Sequence, residues 1–310
     1  MFVIAFLLTI LLKLLGLPHL ISKVDLVMWT KNGAKTLPAV LKRINEVIPS
    51  QFVNKRLIVD DQSTDNTREI AVANGWQVIF NRGKGISDGA NTALEQVETE
   101  YFASFEQDLL LSKDWWPKIA SYLEHSEVGA ASGMRFADQP RGVRKLQQYV
   151  ARKYRGEANL ASWLRTRQKA AFTLGSTLDN TIYKTSVVRL VGGFPKIRVN
   201  AGVDTTLAYR LSQAGYGWIV DYNVQSVHLR AGLKHELSHQ YWYGTQVHEI
   251  WRRIELETHQ SPPISKFGII YRFIISPFTG LFVAYKMREP TIAIIHPLVR
   301  FCYLMGYLEA

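Results

Sequence analysis

Carboxylates, amides and one lysine gather at three places along the chain: Asp60-Asp61, residues 81–85 (NRGKG) and Glu106-Gln107-Asp108. Each cluster directly follows a short apolar run. If those runs are strands of one parallel sheet, the clusters fall at its carboxyl edge, where such sheets bind their ligands. A different chemistry is written farther on. His235-Glu236-Leu237-Ser238-His239 is an HExxH string, which on a helix sets two imidazoles on one face for zinc with the glutamate as base, and Glu257 downstream is a candidate third ligand. Two other sites are excluded. The turn after the first apolar run reads Thr30-Lys31-Asn32-Gly33-Ala34-Lys35, which is not a G-x-G-x-x-G fingerprint. Gly83-Lys84-Gly85 lacks the spacing and the Ser/Thr of a P-loop.

The elements that must hold these clusters alternate strand and helix. VDLVMWT from Val24, RLIVDD ending on Asp60-Asp61, WQVIF and YFASF are four apolar runs of strand length. Between them, Leu37–Val47 has helical spacing behind Thr36-Leu37-Pro38, with Pro close to the helix start. Residues 66–74, capped by Thr64-Asp65, and residues 87–97 complete the alternation. Strands separated by helices of this length imply an α/β fold with a mainly parallel sheet and crossover connections.

The 310 residues carry 37 Lys plus Arg against 26 Asp plus Glu, a formal charge of +11, with 47% hydrophobic residues. That composition supplies a sizeable core and excludes wholesale disorder. One cysteine, Cys302, excludes an intrachain disulfide framework and any cysteine-based zinc cluster. The positive surplus predicts an anionic partner. Both ends are apolar. Residues 1–22 form a predicted N-terminal helix and possible membrane anchor, and the basic residues after it (Lys23, Lys31, Lys35) favour a cytoplasmic body. Residues 267–285 and 291–308 are aromatic-rich and carry Arg272 and Arg300, the pattern of helices lying in a membrane interface.

Taken in order, the first strand with its turn at Asn32, DDQSTDNT, NRGKG before a helix, EQD after a strand, Gly192-Gly193-Phe194, Val203-Asp204, Ala214-Gly215-Tyr216 and the run VQSVHL with His228 resemble the family 2 glycosyltransferases. The resemblance covers roughly residues 23–230. It implies a GT-A type fold: a glycosyltransferase domain at 23–232, with the helical, membrane-associated region at 233–310 following. The implied activity is inverting transfer of a single sugar from a nucleotide-diphosphate sugar of UDP or GDP type, as in enzymes that build cell-surface or lipid-linked glycans. The Gln-x-x-Arg-Trp motif of processive polysaccharide synthases is absent, which favours single transfer.

Site roles follow from the same resemblance. Thr30, Asn32, Asp60, Asp61, Lys84, Gln107 and Asp108 are implied to contact the nucleotide-sugar. Asp108, Glu106 and His228 are implied to hold a Mg2+ or Mn2+ ion, since oxygen and imidazole donors suit a hard cation. Asp204 is implied to be the general base. Two positions depart from the family pattern: Glu106 replaces the first Asp of Asp-x-Asp, and Val203 replaces the Glu of a Glu-Asp pair.

Residues 135–170 interrupt the match with a basic segment. It contains Arg135, Arg141, Arg144, Lys145, Arg152, Lys153, Arg155, Arg165, Arg167 and Lys169 against Asp138 and Glu157. We read it as facing anionic headgroups or a lipid-linked acceptor. Nucleic acid is not expected, because no aromatic-and-glycine binding motif accompanies the charge. Three alternatives remain open on sequence: a polyprenyl phosphate sugar synthase, an inactive relative that binds nucleotide-sugar or membrane, and an HExxH metalloprotease.

Overall fold

The computed structural model describes residues 23–155, 177–196, 201–229, 232–258 and 266–310. The predicted N-terminal helix at 1–22 and the basic residues Arg165, Arg167 and Lys169 lie outside the described residues.

Among the described residues, eight strands form one sheet in the order β3-β2-β1-β4-β7-β6-β8-β5. They are β1 (Val24–Thr30), β2 (Val53–Asp60), β3 (Gln77–Phe80), β4 (Tyr101–Phe105), β5 (Leu109–Leu110), β6 (Val128–Ala137), β7 (Asn180–Lys184) and β8 (Gly217–His228). The first half is parallel, as expected: β1 pairs with both β2 and β4, and β2 with β3. The second half is mixed. The strand β7 runs antiparallel to β4 and β6, β5 runs antiparallel to β8, and β6 and β8 are parallel.

Every residue of β1 is buried, because helices cover both faces of the sheet. Val24, Leu26 and Met28 enter one apolar cluster, whereas Val27 and Trp29 enter the other. This is the period-2 alternation of a strand between two layers. The helix Leu37–Val47 buries Leu37, Val40, Leu41, Ile44 and Val47, a single stripe at helical spacing, against the first cluster. Each such side chain contributes about 1.5–3 kcal/mol on burial. The helix Gly85–Glu95 places Ala90, Ala93 and Leu94 in the second cluster. Parallel register then aligns the strand ends: Thr30 lies opposite Asp60, Asp60 opposite Phe80, and Met28 opposite Phe105. The polar clusters after β2, β3 and β4 therefore share one edge.

The C-terminal region is helical: Gly232–Thr258, Lys266–Ile274, Ser276–Met287 and Ile292–Glu309. The apolar run at 267–285 is divided at Ile275 into two helices bent by 60°. Among the described residues, Ile292–Glu309 is the one helix long and apolar enough to cross a membrane, and 33% of its apolar window is buried against the protein. It crosses Gly232–Thr258 at two glycines. A Cβ on Gly306 would strike the Tyr241 carbonyl, and one on Gly244 would lie 2.7 Å from the Tyr307 amide nitrogen. His248 stacks on Tyr307 beside this crossing, with centroids 4.5 Å apart.

Candidate active site

The loops after β1 and β2 are laced together by the side chains that the sequence singles out. Asn32 adopts a left-handed backbone (φ 51°), its amide donates to Ser63 Oγ (2.9 Å), and its Oδ1 accepts from the Thr64 amide (2.8 Å). Asp60 is fully buried, and its Oδ2 accepts from the Ser63 amide at 3.0 Å. Asp61 sits where three strand ends meet: its carboxylate accepts from Asn81 Nδ2 (3.2 Å) and the Gly85 amide (3.3 Å) and lies 3.7 Å from Lys31 Nζ. Lys84 is exposed at the entrance to the helix Gly85–Glu95, with its amide donating to Asp88 Oδ2 at 2.9 Å.

Gln107 ties β1 to β4. The Thr30 hydroxyl donates to its Oε1, as does the Lys31 amide (3.0 Å), and its Nε2 donates back to the Lys31 carbonyl (3.0 Å). The side-chain amide of Gln107 is thus occupied in closing the sheet edge. Its neighbours on either side, Glu106 and Asp108, face another direction.

Both of those carboxylates meet His228. The residue Leu109 pairs with His228 across β5 and β8, and the Leu229 amide donates to the Asp108 carbonyl at 2.7 Å. This pairing brings His228 Nε2 to 3.5 Å from Glu106 Oε2 and 3.5 Å from Asp108 Oδ1. His228 is 5% exposed, and among the described residues neither ring nitrogen has a hydrogen-bond partner. A buried imidazole left in that condition is costly unless a ligand completes it.

Two residues join the cluster that sequence reasoning does not place there. Asp179 is fully buried, and Glu106, Asp179 and His228 each offer a ligand atom within 4.8 Å of the others. Asp179 Oδ1 has no partner among the described residues. Arg135, which in sequence belongs to the basic, acceptor- or membrane-facing segment, instead points inward. Its Nη1 pairs with the Asp179 carboxylate and lies 3.6 Å from Glu106 Oε2. Burial works against its charge, but the Asp179 and Glu106 carboxylates outweigh that and hold the guanidinium firmly protonated. The donor set of carboxylate oxygens and a buried imidazole fits a hard divalent cation such as Mn2+ or Mg2+.

Asp204 enters from the first turn of the helix Val203–Gln213. Gly202 before it has φ 83°, where a side chain would be strained and its Cβ would meet Ile250 at 3.3 Å. Asp204 Oδ1 accepts from the Thr205 amide at 2.8 Å. Burial pushes the Asp204 carboxyl above the ordinary carboxylate range, the Arg135 charge opposes that, and Asp179 and Glu106 add to it.

Two cavities adjoin here among the described residues. One, of about 390 Å³, is lined by Ile86, Glu106, Asp108, Arg135 and Asp204 among others. The second, of about 500 Å³, has Arg135, Asp204, His228, Glu236 and Gln240 together with apolar residues such as Leu146, Val247, Trp251 and Ile295. Asp204 lines both. Thr30, Asp60, Asp61 and Lys84 line neither.

Residues 25–186 match the model of the family described as Glycosyl transferase family 2. The chain belongs to this family. A curated relative, the low-salt glycan biosynthesis hexosyltransferase of Haloferax volcanii, is 27% identical over 128 residues, 41% of this chain and 31% of the relative. The match thus spans about a third of that relative's length. Solved structures extend the likeness over more of the fold. The mannosyltransferase PcManGT of Pyrobaculum calidifontis, in complex with GDP-Man and Mn2+, aligns over 93% of this chain and 85% of its own, with TM-score 0.59 and 18% identity. S. aureus TarS aligns over 93% and 90%, with TM-score 0.53 and 15% identity. The glucosyl-3-phosphoglycerate synthase of Mycobacterium tuberculosis, with Mn2+ and UDP, aligns over 75% and 80%, with TM-score 0.52 and 14% identity. At these identities the likeness concerns the fold, and it confirms the GT-A arrangement for this family 2 chain.

The HExxH string lies on the helix Gly232–Thr258, where His235 and His239 stack with centroids 6.2 Å apart. His239 also packs against the Tyr243 ring at 4.6 Å and the Trp242 ring at 5.7 Å. Among the described residues, these histidines form no group of three metal donors; Glu106, Asp179 and His228 do. The side chain of Glu257 lies outside the described residues.

Proposed function

We propose that this chain transfers a single sugar, with inversion, from a nucleotide-diphosphate sugar to a lipid-linked acceptor at a membrane surface. One observation carries the reading: Asp204 stands on the wall common to two cavities, one holding the Glu106–Asp108 carboxylates and the other mixed polar and apolar. The first suits a charged donor and the second an amphiphilic acceptor. Support for the donor class comes from the relatives, whose structures were solved with GDP-Man or UDP.

In this reading the sheet edge at Asp61, Lys31 and the Gly85 amide receives the nucleoside, with Lys84 at its rim. Glu106, Asp108, Asp179 and His228 would hold the Mg2+ or Mn2+ ion, which when bound offsets the charge of the departing nucleoside diphosphate. Asp204 takes the proton from the acceptor hydroxyl as that oxygen attacks the anomeric carbon in line, which inverts its configuration. Its raised proton affinity suits a base that must accept and hold a proton.

The membrane part of the reading rests on the C-terminal helices. Phe267, Phe278 and Tyr285 are 82%, 76% and 86% exposed, and Leu281 and Phe282 stand exposed between them. An apolar face of this size on bent helices, bordered by Lys286 and Arg288, matches an element lying in the bilayer interface. The catalytic domain would then face the cytoplasm, the side favoured by basic residues after an apolar segment.

The test is release of nucleoside diphosphate from radiolabelled UDP- and GDP-sugars, with and without a lipid-linked acceptor in mixed micelles. Release that requires the acceptor and disappears in Asp204→Asn is expected. Release of equal size without acceptor, or no product in the lipid phase, contradicts the reading.

A further inference from the structure

We propose that Arg135 is a built-in competitor for the divalent cation, its guanidinium and the metal contending for the same two carboxylates. The inference rests on the metal-dependent reading above and extends it to a residue with no assigned role.

Arg135 is fixed on β6, paired in register with Ser226 of β8, so its side chain starts from a rigid base. From there Nη1 reaches the Asp179 carboxylate and comes within 3.6 Å of Glu106 Oε2. Those same two residues, with His228, present ligand atoms within 4.8 Å of one another. A guanidinium in that position satisfies carboxylates that would otherwise repel. A divalent cation held by the same carboxylates would repel the guanidinium, since like charges brought close in a partly buried site interact strongly. The independent sign of a cation position is His228, buried, with neither ring nitrogen in a hydrogen bond among the described residues and Nε2 aimed between the Glu106 and Asp108 carboxylates at 3.5 Å from each. Arg135 does not satisfy that imidazole, so the guanidinium meets only part of the cluster's demand.

Cation binding therefore requires Arg135 to release Glu106 and Asp179. The released guanidinium remains on the boundary of both cavities, which it lines together with Asp204. Its planar fork is suited to phosphate oxygens there. The residue would thus couple arrival of the metal to capture of an anionic group, and it lowers the metal affinity of the protein alone.

Manganese affinity tests this directly, read by electron paramagnetic resonance of free Mn2+ during titration of full-length protein. Arg135→Gln is expected to bind Mn2+ about tenfold or more tightly than the parent, the scale of a close charge pair removed. Arg135→Lys, which keeps the charge but loses the fork, is expected to fall between them and decides the matter if the glutamine variant does not fold. Arg141→Gln removes an equal charge from an exposed position and should leave the affinity unchanged. Unchanged or weaker Mn2+ binding on removing the Arg135 guanidinium overturns the proposal. So does an equal gain in Arg141→Gln, which would reduce the effect to net charge. If the parent binds Mn2+ and Asp108→Asn loses it while Arg135→Gln matches the parent, only the competition fails. If no variant binds Mn2+, the metal-dependent reading fails with it.

Discussion

His228 Nε2 stands 3.5 Å from Asp108 Oδ1, held there because Leu109 and His228 are register partners across β5 and β8. A two-stranded pairing near the sheet edge thus joins the polar cluster after β4 to a histidine far along the chain. The expected consequence is that neither residue can be replaced alone. His228→Ala and Asp108→Asn should each weaken Mn2+ binding by at least about 10–100-fold, the loss typical even of groups one step removed from a metal. Calorimetric titration with MnCl2 checks it, and parent-like affinity in either variant would remove that residue from the site.

Asp204→Asn should lower kcat by about 10²–10⁴ while leaving nucleotide affinity near the parent value, since the residue acts on the acceptor proton. A matching loss in nucleotide affinity would make it a binding residue instead.

The pH dependence follows from the burial of Asp204. The base must be unprotonated, and its carboxyl is raised, so the rate climbs as pH passes upward through a value above the ordinary carboxylate range. The stability effect has the opposite sense. A raised folded-state value stabilises fully below the unfolded carboxylate pKa, and that contribution is lost as pH rises through the folded one. Rate–pH profiles of the parent and Arg135→Lys check the first point. An acid limb at the normal carboxylate position would contradict it.

Much of this site is legible in the chain's local patterning. The stripe Leu37, Val40, Leu41, Ile44 announces its helix, and the run ending in Asp60-Asp61 announces its strand. Local pattern suffices there because the helix buries a single stripe and the strand ends in an unbroken apolar run buried on both faces. Asp179 is not legible in this way. It is a lone acid in a Thr-rich stretch, and it reaches the cluster only because β7 inserts antiparallel between β4 and β6. Arg135 misleads for a related reason: it belongs to a basic run in sequence, but β6 turns it inward toward Asp179. The apolar run at 267–285 reads as continuous, whereas the chain bends by 60° near Ser276-Pro277, where proline opens a new helix.

The crossing of Gly232–Thr258 with Ile292–Glu309 depends on backbone approach at Gly244 and Gly306. Gly306→Leu should destabilise the protein by about 1–3 kcal/mol, the usual effect of overpacking, and lower Tm accordingly. Thermal melting followed by circular dichroism measures this, and an unchanged Tm would show that the helices can separate at no cost.

Membrane association predicts that Phe278→Asp with Tyr285→Asp weakens sedimentation with anionic vesicles by an order of magnitude or so, from lost apolar burial. Raising salt should weaken binding further, and vesicles of neutral lipid should bind less than anionic ones. Equal binding of parent and double variant would move the contact surface elsewhere.

The central claim is a nucleotide-sugar donor site completed by a divalent cation, and nucleotide binding tests it most directly. UDP, GDP, CDP and dTDP would each be titrated calorimetrically, with and without Mn2+, into the parent and Asp108→Asn. The account predicts that one nucleotide binds tightly only with Mn2+ and that Asp108→Asn abolishes this. Binding of none of the four, or binding indifferent to both the metal and Asp108, would contradict it.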